Sequence, residues 1–103
     1  MSPAVSDLSP DPGEIATLVA LRRDLHAHPE LGFEEERTSA IVKAFLADCG
    51  IEVRDGIGKT GVVGTLRGKA DGPSIALRAD MDALAMPEMA DRPYRSTLPG
   101  KMH

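Results

Sequence analysis

Two kinds of periodicity divide the chain. Ile15, Leu18, Val19, Arg22 and Leu25 recur three or four positions apart, which lays an apolar stripe along one side of a helix. Asp11-Pro12-Gly13-Glu14 precedes the stripe and reads as a helix start: Asp11 can accept from free backbone N–H groups, Pro12 suits the first turn, and Glu14 stands at the capping-box position. Pro29 disfavours the α conformation at His28, so this helix is predicted to end near His26 or Ala27. A second stripe, Thr38, Ile41, Val42, Phe45, Leu46 and Cys49, predicts a second helix with Cys49 in its apolar face. Glu34, Glu35 and Glu36 stand at its start, where the helix dipole favours negative charge, and Gly50 is the expected left-handed terminator.

After Gly50 the period changes to two. Residues 51–54 alternate, residues 55–59 turn, and residues 61–66 supply β-branched positions. A second turn at 68–73 precedes an apolar run over 74–79. This pattern predicts three strands, with the second and third joined as a hairpin by the 68–73 turn. The third, lacking clean alternation, is expected to be central and buried. The fold class is therefore α/β: two N-terminal helices followed by three strands. Residues 1–10, rich in Ser, Pro and Asp, read as a flexible arm, and residues 11–103 as part of one domain. From Met86 onwards, Pro87, Pro93, Pro99 and Gly100 interrupt any period. A loop over 85–103 is unusual in a small domain unless it is functional or belongs to a larger fold.

Composition narrows the function classes. With 42% apolar and 27% charged residues, the 103-residue chain is globular rather than disordered. A net charge of −4 and only three aromatic residues (Phe33, Phe45 and Tyr94) argue against nucleic acid and anionic membranes as partners. One cysteine allows no intrachain disulfide, and the N-terminus lacks the basic start and apolar run of a signal peptide, so a cytoplasmic location is expected.

The chemistry concentrates in Arg78-Ala79-Asp80-Met81-Asp82-Ala83-Leu84. Asp80 and Asp82 stand where the third predicted strand gives way to loop, which is where α/β sheets bind ligands. Still extended, carboxylates two apart point to one side and could hold or orient a divalent cation. The same two aspartates could instead be a solvated strand end. His26 and His28, two apart, would splay by about 200° on a helix. They are expected to do separate jobs, one packing at the helix end and the other bonding to backbone. The glycines at 56, 58 and 61 spell GxGxxG, but before a strand rather than at the opening of a helix, so they are no dinucleotide fingerprint.

Three separated segments together carry a resemblance. They are Leu21 to Glu35 (LRRDLHAHPELGFEE), Lys59 to Gly64 (KTGVVG) and Ala76 to Leu84 (ALRADMDAL). With Pro93-Tyr94-Arg95-Ser96 and Pro99-Gly100-Lys101-Met102-His103, they resemble the metal-dependent amidohydrolases: hippurate hydrolase, N-acyl-amino-acid hydrolases and plant auxin-conjugate hydrolases. The resemblance runs from about residue 14 to the last residue. It implies the start of a zinc-exopeptidase-like catalytic domain, with a lid and dimerisation domain elsewhere in a longer protein and a homodimer as the intact form. It also implies an N-acyl amino acid as small-molecule substrate and two divalent ions, Zn, Mn, Co or Ni, as cofactors. Family ligands are expected beyond His103, so no metal ligand, bound metal or activity is expected of this chain alone. By the same likeness Asp82 is the stronger active-site carboxylate, orienting a metal-binding neighbour, Asp80 is a weaker candidate, and His103 is a support. Ala85 stands where the family usually has Pro, which would loosen this loop. Two other readings stand beside this one: a non-catalytic remnant that binds a partner, and an Asp-x-Asp phosphatase of the haloacid-dehalogenase type. In the phosphatases Gly-Thr/Val-Leu follows the Asp-x-Asp, whereas Ala83-Leu84 follows here.

Overall fold

The computed structural model describes residues 9–103, so the arm expected over 1–10 falls, except for Ser9 and Pro10, outside the described residues. Helix α1 (Pro12–Ala27) starts as its residues predict. Asp11 Oδ1 accepts the Glu14 N–H at 2.8 Å and Pro12 opens the first turn. At the other end the His28 N–H closes on the Leu25 carbonyl at 3.2 Å, and Pro29 follows, fully buried. The stripe of α1 does not become a core face: Ile15, Leu18 and Val19 remain largely exposed. The helix is held by polar contacts at its C-terminal end, where Arg37 donates to both oxygens of Asp24 at 2.8 and 2.9 Å.

Helix α2 (Glu36–Asp48) is capped from a distance. Glu35 occupies the N-cap without a side-chain cap bond. Glu30, in the preceding loop, accepts the Arg37 N–H at 3.0 Å and the Thr38 N–H at 2.6 Å, two of the donors a helix start leaves free. Gly50, at φ 76°, ends the helix as expected. Ile41, Val42, Phe45 and Leu46 are half-buried as α2 packs on the sheet, and Lys43 Nζ pairs with Asp55 at 2.9 Å. Cys49 departs from the expected pattern. It is the C-cap, leaves the helical path at the end of the stripe, and is exposed.

The sheet has two strands, β1 (Glu52–Ile57) and β2 (Gly61–Thr65), antiparallel, with Glu52 opposite Thr65 and Arg54 opposite Val63. This corrects the predicted pairing. β1 continues through Asp55 and Gly56, past an irregularity between Arg54 and Ile57, and the connection shrinks to residues 58–60. The hairpin therefore joins the first two strands and not the second and third. The third strand, over 74–79, does not form among the described residues. Its backbone has no ladder partner, and Ile75 and Leu77 are 92% and 96% exposed. A buried central strand needs a neighbour on each edge, and among the described residues β1 and β2 pair only with each other.

The outcome is an open structure. Its accessible surface is 8233 Å², against about 5600 Å² for a compact monomer of this mass. Apart from Pro29, Ala83 is the one buried apolar residue among those described, and it lies in the aspartate segment. Residues 66–82 arch away from α2 and β2 around a cleft of about 2380 Å³.

Candidate functional site

The site is assembled by three returns of the chain to the end of α1. The aspartate segment comes first: the Ala83 N–H donates to the Glu30 carbonyl at 2.8 Å. The last residues come second, in a two-way bridge in which the Leu84 N–H reaches the Met102 carbonyl at 2.7 Å and the Met102 N–H reaches the Leu84 carbonyl at 3.0 Å. This lays 101–103 antiparallel to 83–85 and brings His103 within the electrostatic reach of Asp82 and Glu30. Third, the Thr97 N–H and Oγ1 both donate to the Ala27 carbonyl, at 2.9 and 2.8 Å.

The two aspartates part company here. Asp82 lies within electrostatic reach of His103, whose ring lies 6.4 Å from that of His26. Asp80 turns to its own neighbour: Arg78 Nε and Nη2 both stand 3.2 Å from Asp80 Oδ1, with both side chains exposed. Extended backbone without a ladder partner allows this divergence, because neither carboxylate is held by a sheet neighbour. The histidines also divide as expected. His26 is buried with Nε2 2.9 Å from Glu88 Oε1, and His28 Nδ1 is 2.9 Å from the Asp24 carbonyl.

Several participants carried no sequence signal of their role. Glu88 lies 62 positions from His26, so no local spacing links them. The one clue is a lone carboxylate flanked by Pro87 and Met89 in a segment without period. Glu30 was legible only as part of the loop after Pro29. Of the three glutamates at the start of α2, Glu35 is not a solvated dipole partner: it is buried and accepts the Thr60 hydroxyl, tying α2 to the turn before β2.

Electrostatics give this cluster a direction with pH. Burial holds His103 below its ordinary 6.5, reinforced by His26, while Asp82 and Glu30 partly offset the effect. Partial burial would raise the Glu30 carboxyl, but the Thr38 and Arg37 N–H groups together outweigh it and hold the group below 4.5. The Ser96 N–H lowers Glu88 against the opposing effect of burial, and His26 adds to the lowering. Each depressed group binds its proton less tightly in the folded than in the unfolded chain. Its stabilisation is therefore complete above the ordinary value and is lost as pH falls through the folded one. Thermal melts are expected to give the highest Tm near neutrality. The fall on acidification should begin below pH 6.5 with His103 and deepen below pH 4.5 with Glu30 and Glu88. A Tm that rises on acidification contradicts this placement of charges.

The donor set does not by itself fit metal ions. Among the described residues, no three His, Cys, Asp or Glu side chains converge on one point, and His26 Nε2 is engaged with Glu88. Also among the described residues, no helix is long and apolar enough to cross a membrane.

No protein-family model matches the chain, but individual proteins do. It is 49% identical over 86 residues to an IAA-amino acid hydrolase of Arabidopsis thaliana, covering 84% of this chain and 19% of that protein. It is 45% identical over 87 residues to an N-acetylcysteine deacetylase of Bacillus subtilis, covering 84% of this chain and 23% of that one. The solved YXEP protein of Bacillus subtilis, described as a dinuclear metal binding peptidase from the M20 family, superposes with a TM-score of 0.85 at 42% identity. That superposition covers 91% of this chain and 26% of the other. The chain thus spans about a fifth to a quarter of the length of the proteins it matches. In sequence and in backbone, this chain is homologous to the N-terminal region of the metal-dependent amidohydrolases of M20 type.

Proposed function

We propose that residues 11–103 form the N-terminal part of the catalytic domain of a metal-dependent amidohydrolase that cleaves the amide bond of N-acyl amino acids, a hippurate-like substrate class. The observation that supports this reading best is the bridge between Leu84 and Met102, which runs the chain back along the aspartate segment and brings His103 within electrostatic reach of Asp82. In this reading Asp82 orients a metal-ligating group, His103 supports it, and Asp80 has a minor part. The ions, Zn, Mn, Co or Ni, are held by residues outside this chain, and the intact enzyme is a cytoplasmic homodimer. When bound, such ions supply the activated water of amide hydrolysis. What residues 9–103 contribute in this reading is the Asp82 carboxylate and the backbone that carries it, tied next door where the Ala83 N–H donates to the Glu30 carbonyl.

The test compares two proteins. The purified 103-residue chain is expected to hold no stoichiometric metal by plasma mass spectrometry and to turn over neither hippurate nor N-acetyl amino acids. A chimera in which this chain replaces the matching region of the Bacillus subtilis N-acetylcysteine deacetylase is expected to do both. Stoichiometric metal and turnover by the 103-residue chain alone would overturn the division of labour, and a folded, metal-loaded but inactive chimera would overturn the assignment. The exposure of Ile75 and Leu77 favours a second reading, a non-catalytic chain that binds a partner along 74–79. A chain kept for binding should melt in one sharp transition, whereas an incomplete domain should melt broadly and bind apolar dyes.

A further inference from the structure

Residues 85–103 form no helix and no strand, yet their path is fixed at a few points. Ordering a residue of such a loop costs backbone entropy, so the fixing contacts decide whether the loop keeps one shape. Glu88 is where most of them meet. Its side chain is 2% exposed, and its Oε1 accepts from two directions, the Ser96 N–H at 2.8 Å and His26 Nε2 at 2.9 Å. Arg95 Nη2 reaches the Glu88 carbonyl at 3.3 Å. Beside them the Tyr94 ring meets His26 edge-on at 5.6 Å, with the Arg23 guanidinium 4.7 Å from its centre. One residue after Ser96, Thr97 closes on the free carbonyl at the end of α1. Five residues further on, Met102 forms the bridge that brings His103 within electrostatic reach of Asp82.

We propose that Glu88, gripped by buried His26, is the positioning residue of this site: it fixes residues 94–98 against the end of α1 so that 101–103 return along the aspartate segment. This rests on the reading in which Asp82 and His103 act together. Glu88 touches neither a reacting atom nor Asp82, and it acts through the path of the loop. A carboxylate suits the task because a single oxygen accepts from α1 and from the loop at once, which no apolar side chain can do. Active groups need placement to within about 0.5 Å, and a loop without secondary structure has few other means of holding it.

The test is amide hydrogen exchange on the isotope-labelled 103-residue chain, read by NMR at Ser96, Thr97, Leu84 and Met102, with the ladder-bonded amides among Val53, Arg54, Val63 and Gly64 of the hairpin as internal reference. Glu88→Ala is expected to speed exchange about tenfold at all four amides while the hairpin amides keep their rates. Glu88→Gln, which can keep an oxygen at the Oε1 position, should restore most of the protection. Glu88→Asp, shorter by one methylene, should give the same pattern at smaller amplitude and serves if the alanine variant fails to fold. Faster exchange confined to Ser96 and Thr97, with Leu84 and Met102 unchanged, overturns the proposal, because the site would then keep its shape without Glu88. Equal acceleration in the hairpin also overturns it, since the role would be general stability. Because exchange needs no catalysis, the positioning role can hold even if the amidohydrolase reading fails in the chimera, and the two failures are told apart.

Discussion

Asp82→Asn is expected to lower kcat about 10- to 100-fold in the chimera with the Bacillus subtilis deacetylase, the usual loss when a group with the orienting role proposed for Asp82 is removed. Asn keeps the size of the side chain and one acceptor oxygen but removes the charge within electrostatic reach of His103. Asp80→Asn, two residues earlier, leaves kcat close to the parent. Its carboxylate pairs with exposed Arg78, and such surface pairs contribute about 0–1 kcal/mol. The ranking follows the family likeness, and the structure adds to it the exposed pairing of Asp80 with Arg78. The measurement is steady-state kinetics on both, with metal content checked so that loss of ions is not mistaken for loss of orientation. An Asp80→Asn effect equal to or larger than that of Asp82→Asn would falsify the ranking.

Gly61→Ala is expected to damage the hairpin more than any change at an open glycine. A Cβ at position 61 would meet the Ile57 carbonyl oxygen well inside contact distance, with the Ile57 carbonyl carbon at 3.3 Å and its Cβ at 3.5 Å. The obstacle is backbone, so no side-chain rotation relieves it. Ile57 and Gly61 are cross-strand partners next to the irregular part of β1, and the clash acts where the register is set. Overpacking of this kind costs about 1–3 kcal/mol, a large share of what a small domain has to spare. Gly72→Ala is the control, because nothing lies within 4 Å of its added Cβ. NMR contacts between Val53 and Gly64 should weaken or vanish in the first variant and persist in the second. Their persistence in Gly61→Ala would mean that the close approach of Ile57 and Gly61 does not hold the register.

The elements were legible to different degrees, for reasons particular residues show. The ends of both helices were readable because their signals are local: Asp11 and Pro12 at one start, Pro29 beyond one end, and Gly50 at the other. The cap of α2 was not, because its acceptor, Glu30, lies outside the helix and only the turn at 31–34 brings it back. Strand content at 52–54 and 61–65 followed from β-branched alternation, but partner choice did not. Each of the two turn segments could close a hairpin, and α2 packed on β1 and β2 goes with the first. The apolar run at 74–79 carries a signal of burial without saying against what, and among the described residues it has no partner. Cys49 shows the same limit in miniature, since periodicity places it on an apolar face that ends one residue too soon to cover it.

By itself the sequence determined the two helices, the strand-forming segments and the family likeness, including the aspartate pair as the place to look for chemistry. These follow from short-range backbone preferences and from the order of a few motifs. Only the tertiary structure decided which strands pair, which aspartate comes within electrostatic reach of His103, and that Glu88 and His26 meet across 62 positions. Such contacts depend on where distant segments come to rest against the end of α1, and no local preference along the chain encodes that distance.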